Sequence, residues 1–308
     1  MRYNLIKRPI DYIFLEGPDL SGKTTFYENV HKSSDYRWNI QDRSALSMLI
    51  HAKHYGRDTF RHVEQLKSEL YNLNNVMIIL LPSWHEVARR FNLRGDPIQN
   101  ITSLKKLYRL FTEASEELSV LPNVIVIESI ADELVVKYTV SKLLEYENAS
   151  TKDIQLNCVN ACMNSASKEV IGLNFTLYDN GDFEDIDEND LLYDKEVVYY
   201  DKIITEIKET IKNELDGLNQ YERKETFESR RFIYNSDTCI ALAHFLLRKE
   251  SLDCKFFLRS SNVKDTLGYD LNFLKHMSRT IYDCLDADGR FCKMNIIINS
   301  GHIIQEAS

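Results

Sequence analysis

Residues 17–24 read Gly-Pro-Asp-Leu-Ser-Gly-Lys-Thr, a G-x-x-x-x-G-K-[ST] loop that leaves a chain few alternatives. The loop follows the apolar run Ile13-Phe14-Leu15, which reads as a buried strand. It precedes a helical pattern from Thr24 to Lys32. Glycines at 17 and 22 let backbone N–H groups curl around a phosphate, and the helix N-terminus adds partial positive charge. Lys23 is placed to neutralise β- and γ-phosphates, and the Thr24 hydroxyl to ligate Mg2+.

The rest of the first half fits that start. Short apolar runs alternate with helical patterns: a strand at Tyr36–Ile40, helices at 44–55 and 59–73, and a strand at Val76–Leu81. A helix at 84–92, a long amphipathic helix at 104–118, a strand at Val124–Ile127 and a helix at 134–146 follow. The strands lack polar alternation, which predicts a parallel sheet covered on both faces. The pattern breaks at Asn148-Ala149-Ser150-Thr151, so a chain of 308 residues divides into domains 1–148 and 149–308. The second domain carries an acidic stretch at 179–190, a charged helix at 202–216 and further strand-like runs, an α+β pattern.

Charge and composition exclude some partners. A net charge of −9 does not suit a protein that tracks duplex DNA. No window approaches 18 uncharged apolar residues, and no apolar segment backs the basic N-terminus, so no membrane contact and a cytoplasmic location are expected. The six cysteines read as reduced residues, and the Cys158/Cys162 spacing lacks the second pair of a zinc site.

From Glu16 to Thr25 the sequence resembles the thymidylate kinase group of P-loop nucleoside monophosphate kinases, and the resemblance extends over residues 11–147. It implies ATP and Mg2+ as cofactors, with Gly17, Ser21, Gly22, Lys23, Thr24 and Thr25 on the donor phosphates. Asp42-Arg43-Ser44 looks like the family's Asp-Arg-aromatic motif, in which the aspartate serves the metal and catalytic centre and the arginine holds the acceptor phosphate. Ser44 replaces the aromatic residue here, which leaves acceptor choice open. Arg89, Arg90 and Arg94 are similar to the arginine-bearing helix and lid that close over the transferring group. Arg57 is a further candidate on the acceptor side.

The second half resembles thymidylate synthases. Ser229-Arg230-Arg231 looks like the segment whose paired arginines reach across a homodimer to the nucleotide phosphate. Cys239 stands 20 residues before Arg259-Ser260, at the separation of the family's nucleophile and its phosphate motif, and Gly301-His302-Ile303 resembles the ribose contact. Asp270 falls at the base-reading position, where aspartate accepts from a cytosine amine, as in the deoxycytidylate hydroxymethylase branch. The departures are equally specific. The nucleophile is flanked by Asp237-Thr238 and Ile240, and between Lys168 and Ser229 there is no tryptophan or folate-facing motif, only Val197-Val198-Tyr199-Tyr200. These imply an abridged domain that has lost methyl and hydroxymethyl transfer.

The expectation is an ATP-dependent kinase of a pyrimidine deoxynucleotide, dTMP or a 5-hydroxymethylpyrimidine monophosphate, fused to a synthase-like nucleotide-binding domain. Such a pairing suits a virus that builds modified pyrimidines. Three alternatives stay open: a kinase of hydroxymethylpyrimidines already in DNA, a bifunctional kinase and hydroxymethylase, and a non-catalytic nucleotide-binding scaffold. His31, His51, His54, His62, His85, His244 and His276 show no metal spacing and read as ordinary polar or half-buried residues, and the 17 Tyr and 14 Phe read as core packing.

Overall fold

The computed structural model describes residues 7–96, 98–129, 132–179, 197–219, 222, 232–236, 238–285 and 290–304. The acidic stretch at 180–190, Ser229-Arg230-Arg231 and Asp237 lie outside the described residues. The chain divides into two compact units, residues 10–147 and residues 148–308 together with 1–9. The sequence pattern assigns residues 1–9 to the first domain, but residues 7–9 group with the second unit. There the Tyr178 N–H donates to the Lys7 carbonyl at 2.9 Å, and the Arg8 side chain is buried.

In the 10–147 unit, β1 (Tyr12–Glu16), β2 (Ile40–Asp42), β3 (Asn75–Leu80) and β4 (Val124–Ile127) form a sheet of order β2-β1-β3-β4, with every pairing parallel. Its helices are α1 (Lys23–Ser33), α2 (Ala45–His54), α3 (Phe60–Tyr71), α4 (Trp84–Arg94), α5 (Ile101–Leu118) and α6 (Glu133–Glu147). Alternate residues of one apolar strand serve two cores. Ile13, Leu15, Val76, Ile78 and Leu80 pack with Phe26, Val30, Val136 and Leu143 of α1 and α6. Phe14, Met77 and Ile79 pack with Leu46, Leu49, Leu66, Leu70, Leu107 and Phe111 of α2, α3 and α5. β2 is shorter than its sequence suggests. Asp35 and Tyr36 have left-handed φ values of 51° and 57°, so a turn occupies the start of the expected strand.

The second unit contains α7 (Thr151–Asn164), β5 (Glu169–Asp179), α8 (Val197–Leu215), β6 (Phe232–Asn235), β7 (Ile240–Leu247), β8 (Ser251–Asn262), α9 (Leu267–Cys284) and β9 (Phe291–His302). Its mixed sheet runs β5-β9-β8-β7-β6. The β8/β9 pair is parallel and the other pairs are antiparallel. α9 is the crossover between β8 and β9, and it buries Leu267, Leu271, Phe273, Leu274, Met277 and Ile281. The Asn148–Thr151 break marks the start of α7. Ser150 and Asp153 form a capping box there, with Ser150 N–H to Asp153 Oδ2 at 2.8 Å and Asp153 N–H to Ser150 Oγ at 3.2 Å. The stretch Val197–Tyr200, with little helical signal of its own, forms the first turn of α8. Among the described residues no helix is long and apolar enough to cross a membrane.

Candidate functional site

The loop between β1 and α1 needs its glycines for steric reasons. Gly17 has φ 137°, and a Cβ there would stand 2.3 Å from the Leu80 carbonyl oxygen. Gly22 has φ 100° and occupies the N-cap of α1, where no side chain caps the helix and no acidic residue enters the first turn. The N–H groups of the first turn, from Lys23, Thr24 and Thr25, are therefore left for an anion. Both threonines are exposed. The Ser21 hydroxyl is buried and has no hydrogen-bond partner among the described residues. A buried orphan donor inside a cradle that excludes side chains fits a phosphate oxygen.

Lys23 folds back over the loop, donating to the Gly17 carbonyl at 2.7 Å and the Pro18 carbonyl at 2.9 Å. Burial lowers its ammonium pKa, and the nearby Asp19, Asp42 and Glu16 oppose that shift. Two more elements fix the loop. Leu20, at φ 67°, inserts its side chain between Val87 of α4 and Leu104 of α5. Arg90 of α4 donates from Nη1 to the Leu20 carbonyl at 3.0 Å. Glu86 holds that arginine at 2.7 Å and also receives Arg89 at 2.7 and 2.8 Å. Hydrogen bonds from Arg89 and then Arg90 pull the Glu86 carboxyl down to about 2. The structure thus brings Arg90 to the loop, while Arg89 stays on Glu86 and Arg94 lies exposed in the last turn of α4.

A second group of residues lies on β2 and at the start of α2. Asp42 ends β2, in register with Leu15, and is exposed. Arg43 follows at φ 83°, an uncommon conformation for a side-chain-bearing residue. Its N–H bonds the Leu15 carbonyl at 3.1 Å, and its Nη2 reaches Asp19 Oδ1 of the loop at 3.2 Å.

Sequence reasoning missed several residues of this site. Glu16 is fully buried at the end of β1 and accepts the Ser44 N–H at 2.5 Å, the Ser44 hydroxyl at 2.7 Å, the Ser47 N–H at 3.3 Å and the Ser47 hydroxyl. Burial raises its pKa and these bonds oppose the rise. This cluster pins the N-terminus of α2 to the strand that leads into the loop. The signal was present as a carboxylate closing an otherwise apolar strand. His51, one helical face further along α2, lies in the field of Asp19, Arg43, His54 and Lys23, and burial lowers its pKa. His51 is half-buried, as the sequence reading allowed.

In the second unit the described residues singled out from the sequence lie near the C-terminal end of β8. The Arg259 N–H donates to the Cys239 carbonyl at 2.8 Å, and its Nη2 to the Ser236 carbonyl at 3.2 Å. Ser260 pairs with Ser300, and Asn262 with His302, which also pairs with Glu169. Ser261 donates to Asp270 Oδ2 at 2.8 Å, and both residues are buried. Cys239 is exposed and forms no disulfide among the described residues. Gly301 has no room for a side chain, since a Cβ would meet Leu173 Cδ1 at 2.6 Å. Arg230 and Arg231 lie outside the described residues. No family model matches this chain, and no curated protein matches its sequence.

Proposed function

We propose that residues 10–147 form an ATP- and Mg2+-dependent phosphotransferase of the nucleoside monophosphate kinase kind, acting on a pyrimidine deoxynucleotide. The observation that carries the reading is convergence on one glycine loop. Lys23, Arg43 and Arg90, from three different elements, all end on residues 17–20. Cations fixed around a loop that opens into an uncapped helix N-terminus suit the charge that develops in phosphoryl transfer. In the reaction an acceptor oxygen attacks the γ-phosphorus and the bond to the β–γ bridging oxygen breaks, its electron pair leaving with ADP. Thr24 and Asp42 are the residues to hold Mg2+, which supplies charge neutralisation between the phosphates. Lys23 steadies the donor phosphates, Arg43 orients the acceptor, and Arg94 is free to close over both.

The second unit we read as an abridged synthase-like domain that retains the nucleotide side, with Cys239, Arg259, Ser260, Asp270 and His302 grouped at one sheet end. Its other sheet face exposes Ile171, Ile233, Phe257 and Ile297, a surface suited to a second copy in a homodimer. Sedimentation equilibrium giving twice 36.0 kDa supports the dimer, and a monomer at micromolar concentration removes it.

Lys23→Ala tests the kinase reading. Phosphoryl transfer from labelled ATP, assayed against free pyrimidine deoxynucleotides and hydroxymethylated DNA, should be abolished with the circular dichroism spectrum unchanged. Residual activity within tenfold of the parent, a barrier change below about 1.4 kcal/mol, sinks the role of Lys23.

A further inference from the structure

The stretch His51–His62 contains chemistry that a small-molecule kinase site does not use. Lys53, Arg57 and Arg61 face one carboxylate, Asp58, within twelve residues of a chain whose net charge is −9. The three cations are exposed, and so are the rings between them: Tyr55 is 49% and Phe60 73% exposed, with Ile98 beyond at 82%.

Tyr55 is fixed in place. Its ring stacks on His51 at 6.3 Å with planes 17° apart, meets the edge of His54 at 4.7 Å, and carries the Arg57 guanidinium 5.2 Å from its centroid. Its hydroxyl accepts from Gln99 Nε2 at 3.3 Å. Ser103 Oγ donates to Gln99 Oε1 at 2.6 Å and also bonds His54 Nε2 at 2.9 Å. His51 lies on α2, whose N-cap Ser44 donates to Glu16 at the end of the strand that leads into the loop. The rings of His51, His54 and Tyr55 thus lie together beside a cationic, solvent-facing surface.

Bases of a single strand expose their faces, and they stack on fixed aromatic rings while cations meet the phosphates between them. A duplex hides those faces. A protein-binding patch is depleted of lysine and centred on apolar side chains, whereas the rings here alternate with cations along the chain. We propose that residues 53–61 form a binding strip for single-stranded nucleic acid, so that the acceptor is a nucleotide within a strand. The second clause rests on the phosphotransferase reading; the binding strip does not.

Fluorescence anisotropy of the full-length protein with a labelled pyrimidine oligodeoxynucleotide, without ATP, tests the strip. The parent should bind the single strand more tightly than a duplex of the same sequence and lose affinity as salt rises. Phe60→Ala should weaken binding about tenfold through the lost stacking contact. Arg61→Glu should weaken it and lower the slope of log affinity against log salt by about one. Equal affinity for the parent and both surface variants, or no binding above that of a mononucleotide, overturns the proposal and leaves the patch to a protein partner. Transfer to free nucleotides alone would overturn the strand-borne acceptor but leave the kinase standing. Strand binding without transfer to any acceptor would overturn the kinase and the strand-borne acceptor together and leave the binding strip standing.

Discussion

Arg90 donates to the Leu20 carbonyl at 3.0 Å, so a side chain of α4 holds the backbone of the phosphate loop at its tip. The arginine cannot wander, because Glu86 one turn earlier fixes its Nε at 2.7 Å. Loop shape therefore depends on a carboxylate that need not touch nucleotide at all.

Glu86→Gln should raise the KM for ATP several-fold with a smaller change in kcat, since it loosens the loop without removing a charge from the donor site. The carboxyl is held at about 2 in the fold, below the ordinary carboxylate range. Its contribution to stability is thus complete above that range and is lost as pH falls toward 2. An NMR titration of the Glu86 side-chain carbon should show the low midpoint. A midpoint in the ordinary range would remove Glu86 as the brace.

Arg43 combines a functional side chain with a backbone angle of φ 83°. Arg43→Ala should weaken acceptor use far more than ATP binding, because the lost guanidinium serves only one substrate. Arg43→Gly should impair acceptor use equally yet be about 1 kcal/mol more stable than the alanine variant, since glycine adopts positive φ without a Cβ clash. Urea denaturation of the two variants checks the stability order, and steady-state kinetics with each substrate varied checks the side. A KM rise confined to ATP would place Arg43 on the donor side.

Asp270 accepts the Ser261 hydroxyl inside the second unit. Asp270→Ala should cost about 1–3 kcal/mol by leaving that buried hydroxyl unpaired, whereas Asp270→Asn keeps an acceptor oxygen and should cost less. The asparagine variant should also shift weak mononucleotide binding from cytosine toward uracil, measured by calorimetry. Unchanged preference would make Asp270 a structural residue, and release of tritium from C5 that requires folate and Cys239 would make the unit an active synthase.

Legibility followed the range of the interactions involved. The Gly17–Thr24 loop, the wholly buried β3 and the four apolar residues of β4 declare themselves locally, since one strand or one turn contains the whole signal. The sequence also placed Arg90 on a helix beside the loop. It could not show that Leu20, 70 residues away, is its partner. Glu16 and Ser47, or Tyr55 and Gln99, meet only when separate elements pack, so pattern alone leaves them as isolated polar residues. α7 escaped notice because apolar and polar residues alternate weakly along it, and its capping box at Ser150 reads locally as a linker.

The two ends of the 10–147 unit meet at one place. The Asp11 N–H bonds the Asn74 carbonyl at 2.8 Å, and the Tyr146 hydroxyl bonds the neighbouring Leu73 carbonyl at 2.7 Å. Entry and exit of this unit are therefore adjacent, while the chain before residue 10 and the chain after residue 147 group into one other unit. In sequence, residues 10–147 are thus an insertion within the second unit. Excision by joining residue 9 directly to residue 148 is the cut that respects this arrangement, whereas severing the chain at 148 alone would strip Arg8 from a core that encloses it.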